Sequence, residues 1–244
     1  MNKQSFLAII LSVTIVLLSA CNFTLANGSG KVITQSRQVS GFSKVSMSGI
    51  GQLIISQGST ESLSIDAEDN VLPQITTTVV GDTLHIDLKN DNFQDNVIPT
   101  KPIVYHLAVK TLDGIQISGA GSVDAANLTS DNLSVSSSGA GSVRLRTITA
   151  QSITSEISGV GGIDLSGKVT RQSINISGSG SYNAPDLESQ TANVVISGAG
   201  GATVWAKSSL DVTISGAGSV NYYDNPTITK TISGVGSVIS RGNH

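Results

Sequence analysis

The segment Ile117–Val123, ISGAGSV, is the first of seven similar segments that decide the fold of this 244-residue chain. Each segment has two glycines separated by one residue, and the first glycines follow one another at intervals of 18 to 20 residues. A repeat of this length is typical of a solenoid, whose units bury their apolar faces only by stacking on each other. The paired glycines are Gly119, Gly121, Gly139, Gly141, Gly159, Gly161, Gly178, Gly180, Gly198, Gly200, Gly216, Gly218, Gly234 and Gly236.

The residues before each glycine pair alternate between apolar and polar, as Leu133 and Val135 or Ile174 and Ile176 do. A period of two with Val, Ile and Thr predicts strands, and the repeat lacks the 3.6-residue period of a helix. A propeller blade needs about 40 residues per unit, which excludes that architecture. We therefore predict an all-β fold, a right-handed parallel β-helix over residues 114–240 with coils of 18 to 20 residues.

The glycine pairs are predicted to be structural turn residues. A coil must bend sharply, and glycine reaches positive φ without a Cβ clash. A phosphate-binding loop would need one such motif before a helix, and a calcium-binding β-roll would need Asp in every nine-residue unit, so both are disfavoured. The serines before the glycines should stack into a hydroxyl ladder: Ser118, Ser138, Ser158, Ser177, Ser197, Ser215 and Ser233.

The first half of the chain lacks the repeat except for one isolated copy, MSGIGQL at Met47–Leu53. Its other segments are short β-prone stretches separated by turn signals such as Gly81-Asp82. We therefore predict a separate N-terminal β region over residues 31–113.

The N-terminus resembles a bacterial lipoprotein signal. An apolar run from Phe6 to Leu18 is too short to span a membrane and ends in Leu18-Ser19-Ala20-Cys21. The resemblance implies a signal peptide over residues 1–20, cleavage between Ala20 and Cys21, and a diacylglycerol on Cys21. The alternative is a chance Cys after an ordinary signal peptide. Asn22, rather than Asp, implies sorting to the outer membrane, and the uncharged residues 21–30 predict a flexible tether.

Composition excludes several classes of function. With 14 Lys and Arg against 17 Asp and Glu, the chain has no basic surplus for nucleic acid. One Cys excludes a disulfide framework and a Cys-based metal cluster, and three His leave little for a His-rich metal site. We expect no cofactor and no metal.

Few residues are candidates for catalysis or metal binding. Asp66, Glu68 and Asp69 form the densest carboxylate group, which we interpret as a solvated strand end entering a turn. His85 and His106 lie in strand-like stretches and could pair across strands, but they are more typical of surface histidines. No catalytic residue is predicted.

Sugar-binding β-helix proteins need aligned charges or aromatic platforms on adjacent coils. The charges of the repeat are sparse, and we expect them to be unaligned. Tyr182 and Tyr222 follow their glycines at comparable places, with Trp205 a little later and Tyr223 beside Tyr222, so a small aromatic strip is predicted. A polysaccharide lyase or hydrolase therefore stays as the alternative to a binding protein.

Several ordered motifs resemble one bacterial family. RQVSGFSKV at residues 37–45 leads into SGIGQLIISQG at residues 48–58, then into residues 62–88 and the ISGAGSV repeats. This pattern is similar to the family called putative auto-transporter adhesin, head GIN domain, over Val32 to Ser240. The resemblance implies a secreted or lipid-anchored parallel β-helix with an N-terminal β portion. It supplies no catalytic or ligand-binding residues.

The sequence thus predicts a lipid-anchored envelope β-helix of the bacterial outer membrane that binds or scaffolds and does not catalyse. Its expected partners are the membrane, through the anchor, and a glycan or an envelope or host surface ligand. Only Ile239–His244 follow the last repeat, so self-association through the C-terminal end is also expected. The sequence leaves open which face of the membrane the protein occupies.

Overall fold

The computed structural model describes residues 26–89 and 97–244. The predicted signal peptide, its cleavage site and Cys21 lie outside the described residues. Apart from a short 3-10 helix at Leu72–Gln74, the regular elements of these residues are all strands. They are β1 (Ala26–Asn27), β2 (Val32–Arg37), β3 (Lys44–Ser48), β4 (Gln52–Gln57), β5 (Ser62–Glu68), β6 (Ile75–Val80), β7 (Thr83–Leu88), β8 (Val97–Ile98), β9 (Val104–Val109), β10 (Gly114–Ile117), β11 (Ser122–Ala126), β12 (Thr129–Ser137), β13 (Ser142–Ile157), β14 (Gly162–Ile176), β15 (Ser181–Ile196), β16 (Gly201–Ile214), β17 (Ser219–Tyr223), β18 (Thr227–Ile232) and β19 (Ser237–Ser240).

The repeats stack as the coils of a parallel β-solenoid, which confirms the predicted fold class. Strands before the glycine pair form a first ladder, β3–β10–β12–β13–β14–β15–β16–β18. Strands after it form a second ladder, β4–β11–β13–β14–β15–β16–β17–β19. Alternate residues point inward and stack in columns, such as Val45, Ile115 and Val135, all at most 2% exposed. The alternation read from the sequence is therefore the alternation between core and surface.

The glycine pairs lie at the bend between the two ladders, but for a different reason from the predicted one. In the repeat none of them has positive φ; only Gly49 and Gly51 of the early copy do, at 138° and 114°. A Cβ on Gly139 would lie 2.2 Å from the backbone oxygen of Gly119, and equivalent atoms on the other first glycines would lie 1.8 to 2.0 Å from the preceding coil. Close approach of stacked backbones, not left-handed conformation, thus requires glycine here.

The isolated early copy is the first coil of the same stack. Gly49 lies beneath Gly119, and the amide N–H of Ala120 donates to the carbonyl of Gly49 at 2.9 Å. β3 and β4 pair in parallel with β10 and β11. The predicted boundary at residue 113 therefore falls inside one continuous sheet with one hydrophobic core.

Residues on both sides of the early copy cover the N-terminal end of the stack. β7 and β9 pair in parallel with β3 and β4, and beyond them β6, β5 and β2 turn antiparallel. Side chains of this region such as Ile65 and Val71 are fully buried. We call β2, β5, β6, β7, β9 and the 3-10 helix the N-terminal cap.

Residues 26–30, predicted to belong to a flexible tether, are bound to this cap. β1 pairs in parallel with β8, and Gly28 N–H donates to the carbonyl of Ile98 at 2.8 Å. The Glu68 carboxylate, on a residue 1% exposed, accepts from Gly30 N–H at 2.6 Å and from the Thr100 hydroxyl at 2.6 Å. The chain is thus fixed to the fold from Ala26 onward.

The last coil, unlike the first, has no cap among the described residues. β18 pairs only with β16 and β19 only with β17, so their outer edges are unpaired among the described residues. Ile232 and Ile239 are 39% and 42% exposed. No helix within residues 26–89 and 97–244 is both long and apolar enough to cross a bilayer.

Candidate ligand-binding face

Three charged residues stack on the outer side of the second ladder. Asp124 is in register with Arg144, and Arg144 with Asp164. Arg144 lies 3.9 Å from the Asp124 carboxylate and 3.8 Å from that of Asp164. The expectation that the charges are unaligned is therefore wrong. Each of the three follows the first glycine of its coil by five residues, so counting from the glycine would have found the column.

A groove of about 250 Å³ runs across this face. The same column continues through Asn183, whose amide donates to Asp164 Oδ1 at 3.1 Å. Polar side chains form most of the groove wall, and Asp186 lies at one end. The residues that line it are Arg144, Leu145, Arg146, Asp164, Leu165, Ser166, Asn183, Pro185 and Asp186.

The aromatic residues of the face are Trp205 and Tyr223, which differ from the predicted strip. Trp205 is in register with Tyr223 on the next coil, and both are partly exposed. Tyr182 is 1% exposed in the core, and Tyr222 stands in the inward column of Val204. Tyr182 and Tyr222 follow their glycines by four and six residues, whereas Trp205 and Tyr223 both follow by seven. Counting residues from the first glycine of each coil therefore identifies Trp205 and Tyr223 as the residues that lie side by side.

A buried polar network supports the backbone beneath Trp205. The Tyr182 hydroxyl donates to Gln172 Oε1 at 2.8 Å, and Gln172 Nε2 donates to Ser189 Oγ at 3.0 Å. Ser189 Oγ in turn donates to the carbonyl of Trp205 at 2.8 Å. Because these groups are buried, each hydrogen bond holds its partner in a narrow range of positions. The network therefore fixes the strand that carries the indole.

His244 lies against this aromatic pair. Its ring stacks on Trp205 with centroids 4.0 Å apart and planes 11° apart, and it meets Tyr223 edge-on at 5.3 Å. Its Nε2 is 3.1 Å from Asp186 Oδ1. Its backbone N–H donates to Asp224 Oδ1 at 3.3 Å. We call the space bounded by Trp205, Tyr223, Asp186 and Asp224 the aromatic slot; it holds the His244 ring.

The carboxylates around the slot have different partners: Glu188 pairs with lysines, whereas Asp224 accepts hydrogen bonds from N–H groups. Glu188 pairs with Lys168 at 3.0 Å and Lys207 at 3.6 Å, and the Lys168 contact lowers the pKa of Glu188. Asp224 accepts from the indole N–H of Trp205 at 2.6 Å, and this hydrogen bond holds the pKa of Asp224 below its ordinary value. Near pH 7 Asp224 in the slot and Glu188 beside it are therefore ionised.

The acidic group in β5 does not form a site. Asp66 accepts from the Thr34 hydroxyl and lies 3.0 Å from His106 Nε2, whereas Asp69 accepts from the Ser29 hydroxyl. Glu68 is buried in the cap, so its interpretation as a solvated strand end is wrong. The three carboxylates bind separate partners because the strand ends where the N-terminal segment crosses it.

The two sequence-predicted histidines do not pair. His85 stands opposite Ser46 and Thr78, whereas His106 stands opposite Ile54 and Ser64. Across residues 26–89 and 97–244, no three His, Cys, Asp or Glu side chains converge as a metal site would require.

Comparisons with known proteins give the same fold. A putative adhesin from Bacteroides fragilis is 28% identical with a TM-score of 0.82, covering 88% of this chain and 99% of that one. A putative lipid binding protein from Parabacteroides distasonis is 24% identical with a TM-score of 0.69, covering 89% of this chain and 99% of that one. A putative adhesin from Parabacteroides merdae is 18% identical with a TM-score of 0.64, covering 88% of this chain and 98% of that one.

No curated protein matches the chain. Residues 41–226 match the model of one protein family. Since this match spans more than half of the sequence, the chain belongs to the family described as putative auto-transporter adhesin, head GIN domain.

Proposed function

We propose that the protein is a lipid-anchored binding module of the bacterial outer membrane that acts in adhesion or scaffolding without catalysis. Its family and the Bacteroides fragilis adhesin support a non-catalytic binding role at the cell envelope. The lipid anchor rests on the Leu18-Ser19-Ala20-Cys21 signal.

The observation that carries the proposal is the attachment of residues 26–30 to the N-terminal cap. From Cys21 to Ala26 the chain reaches at most about 17 Å when fully extended. An acylated Cys21 would therefore hold the capped end of the solenoid close to the bilayer. Several acyl chains on one residue suffice for stable anchoring.

This arrangement would direct the opposite end away from the membrane. Trp205 lies five coils beyond β4, about 24 Å at the usual strand spacing of about 4.8 Å. The groove and the aromatic slot then lie on the part of the rod that faces a partner. Surface residues of the first ladder are largely neutral, among them Gln116, Ser136 and Asn175, and suit many weak contacts that gain strength from multiple anchored copies.

The anchor is tested by replacing Cys21→Ser in the full chain. We expect the variant to lose palmitate labelling and to accumulate as an uncleaved precursor. Asn22→Gln, which leaves the four-residue signal intact, is the matched control and should be labelled and cleaved. Continued labelling of Cys21→Ser would contradict the anchor.

The binding role is tested on intact cells and with purified polymers. Protease should degrade the protein on whole cells, and cells that display it should adhere better than cells producing Cys21→Ser. Incubation with pectin, alginate and peptidoglycan should release no new reducing ends or unsaturated products. Protection from protease would exclude adhesion, and robust turnover of any polymer would replace the binding role with an enzymatic one.

A further inference from the structure

We infer that the aromatic slot is a binding subsite for neutral or amino-sugar glycans, and that His244 occupies it in the absence of glycan. This inference rests on the proposed binding function and names the ligand class of its site. The ring of His244 marks the position that a sugar ring would take.

The contacts of His244 match those that a pyranose makes. The ring stacks flat on Trp205 at 4.0 Å, and the C–H face of a pyranose stacks on an indole in the same way. Its Nε2 lies 3.1 Å from Asp186, where a sugar hydroxyl or amine would donate to the carboxylate. Tyr223 closes the edge of the slot.

The charges of the slot select against acidic sugars. The negative charge of Glu188 is balanced by Lys168 and Lys207. Among the described residues the Asp186 carboxylate has one polar side-chain contact, the His244 ring at 3.1 Å, and Asp224 accepts hydrogen bonds from neutral N–H groups. A uronic acid would bring a further negative charge against these carboxylates, whereas hydroxyl and amine groups can donate to them.

The slot continues into the groove, so it can hold more than one sugar. Asp186 belongs to both. Between them the outward column of Asn183, Thr203 and Asn221 lies beside the indole. Asn183 Nδ2 donates to Asp164 at 3.1 Å, and Asn221 Oδ1 accepts from Arg241 at 3.0 Å. The Thr203 hydroxyl, Asn183 Oδ1 and Asn221 Nδ2 can still meet a sugar. A lone arginine side chain of a protein partner could stack on Trp205 and pair with Asp186, but it would leave these neutral groups unused. The groove therefore favours an oligosaccharide over an arginine.

Occupation by His244 weakens glycan binding by competition. A ligand that needs the open slot binds with an apparent affinity reduced by the fraction of molecules in which the slot is open. Removing the imidazole should therefore strengthen glycan binding, which is the opposite of what loss of a direct ligand contact would do. The direction of this change in affinity distinguishes a side chain that competes with the glycan from one that contacts it.

Trp205 is the only tryptophan of the chain and reports directly on the slot. We would titrate the purified full-length chain with chitohexaose, mannohexaose and polygalacturonate while following tryptophan emission. At least one of the two neutral oligosaccharides should shift the emission, and polygalacturonate should not. His244→Ala should change the emission of the free protein and bind the same oligosaccharide about threefold or more tightly.

Calorimetry extends the test to variants of the platform. Trp205→Ala should weaken binding at least about tenfold, whereas Trp205→Phe, which keeps an aromatic face, should retain part of it. Thermal unfolding would confirm that each variant is folded. The inference is wrong if neither neutral oligosaccharide binds His244→Ala, if His244→Ala binds no more tightly than the parent, or if polygalacturonate or an arginine-rich peptide is the preferred ligand.

Cell adhesion separates the two proposals. If Trp205→Ala leaves adhesion of whole cells unchanged, this subsite is wrong while the binding role stands. If the parent chain confers no adhesion, the proposed function itself fails.

Discussion

The N-terminal end of the solenoid is covered, whereas its last coil exposes its edge. At the N-terminal end the chain reverses direction, and the antiparallel strands β2, β5 and β6 lie outside the first coil. At the other end β18 and β19 continue the parallel ladders, and Ile232 and Ile239 stay well exposed. A stack of identical coils cannot bury its own end, so each end needs a special sequence.

The two ends also place charge differently. Glu68 carries a buried carboxylate that holds the N-terminal segment on the cap. Lys230 stands in the inward column of Val194 and Val212 but is exposed, because no further coil covers it among the described residues. An inward-pointing charge at a sheet edge weakens pairing with another edge. The N-terminal end is therefore covered by the cap, whereas at the last coil the charge of Lys230 disfavours pairing with another sheet edge.

The largest expected effect comes from a bulky residue at a glycine corner. In Gly139→Val the new Cβ would lie 2.2 Å from the Gly119 oxygen and 2.4 Å from the Ser118 oxygen, so two coils must separate. We expect a loss of about 3 kcal/mol or more in the free energy of unfolding. Urea denaturation followed by circular dichroism measures it.

Two further variants test whether the loss of stability comes from the clash between stacked coils. Ala140→Val adds two methyl groups at an exposed position that is already Val in two other coils, Val160 and Val235, so stability should change little. Gly234→Val makes the same clash in the last coil, which can fray, and should lose only about 1 kcal/mol. Equal effects at Gly139 and Ala140 would contradict the close stacking of the corners.

The next effect concerns the carboxylate of the cap and has a defined pH range. The Thr100 hydroxyl, followed by the backbone N–H groups of Thr100, Gly30 and Lys101, lowers the pKa of Glu68 from 4.5 to about 2. The stabilisation is therefore present above pH 4.5 and is lost as the pH falls towards about 2. Glu68→Gln should remove this part of the acid dependence from the thermal midpoint.

Amide exchange locates the same effect in the molecule. At neutral pH, Glu68→Gln should accelerate exchange at Gly30 and Thr100 by about tenfold or more, because their N–H groups lose a carboxylate acceptor. Glu156→Gln, on the exposed outer side of a regular coil, is the matched control. If exchange in the cap is unchanged by Glu68→Gln, the carboxylate does not hold the N-terminal segment.

The smallest effect concerns the last coil. We predict that the purified chain self-associates weakly through this end, since Ile232 stands in the inward column of Ile214 and is exposed. Lys230→Val would extend the inward column with an apolar residue and should strengthen the association about tenfold, or about 1.4 kcal/mol. Analytical ultracentrifugation over a range of concentrations measures it.

The control for the last coil is Thr231→Val, whose side chain stands in the outward column of Thr213. This variant adds apolar surface to the side of the rod and should leave the association constant unchanged. A Lys230→Val chain that stays monomeric, or an equal response to Thr231→Val, would contradict association through the coil end.

The sequence determined the repeating part of the protein. The interval between glycines sets the length of a coil, and the alternation of Val and Ile sets which side chains point inward. The same counting places Arg144 over Asp124 and Tyr223 beside Trp205, because residues at equal distance from the glycine share a column. A repeat carries this information because each coil has the same local neighbours.

The cap, the close approach that requires the repeat glycines and the aromatic slot depend on the tertiary structure. β2 pairs with β5, and β5 with β9, across sequence separations that no local period records. Glycine is required in the repeat because the neighbouring backbone approaches so closely, which the sequence does not state. His244 contacts Trp205 and Asp186, although Asp186 is 58 residues away in the sequence. Contacts between segments without a common period are fixed by packing in three dimensions, so they become visible only in the folded chain.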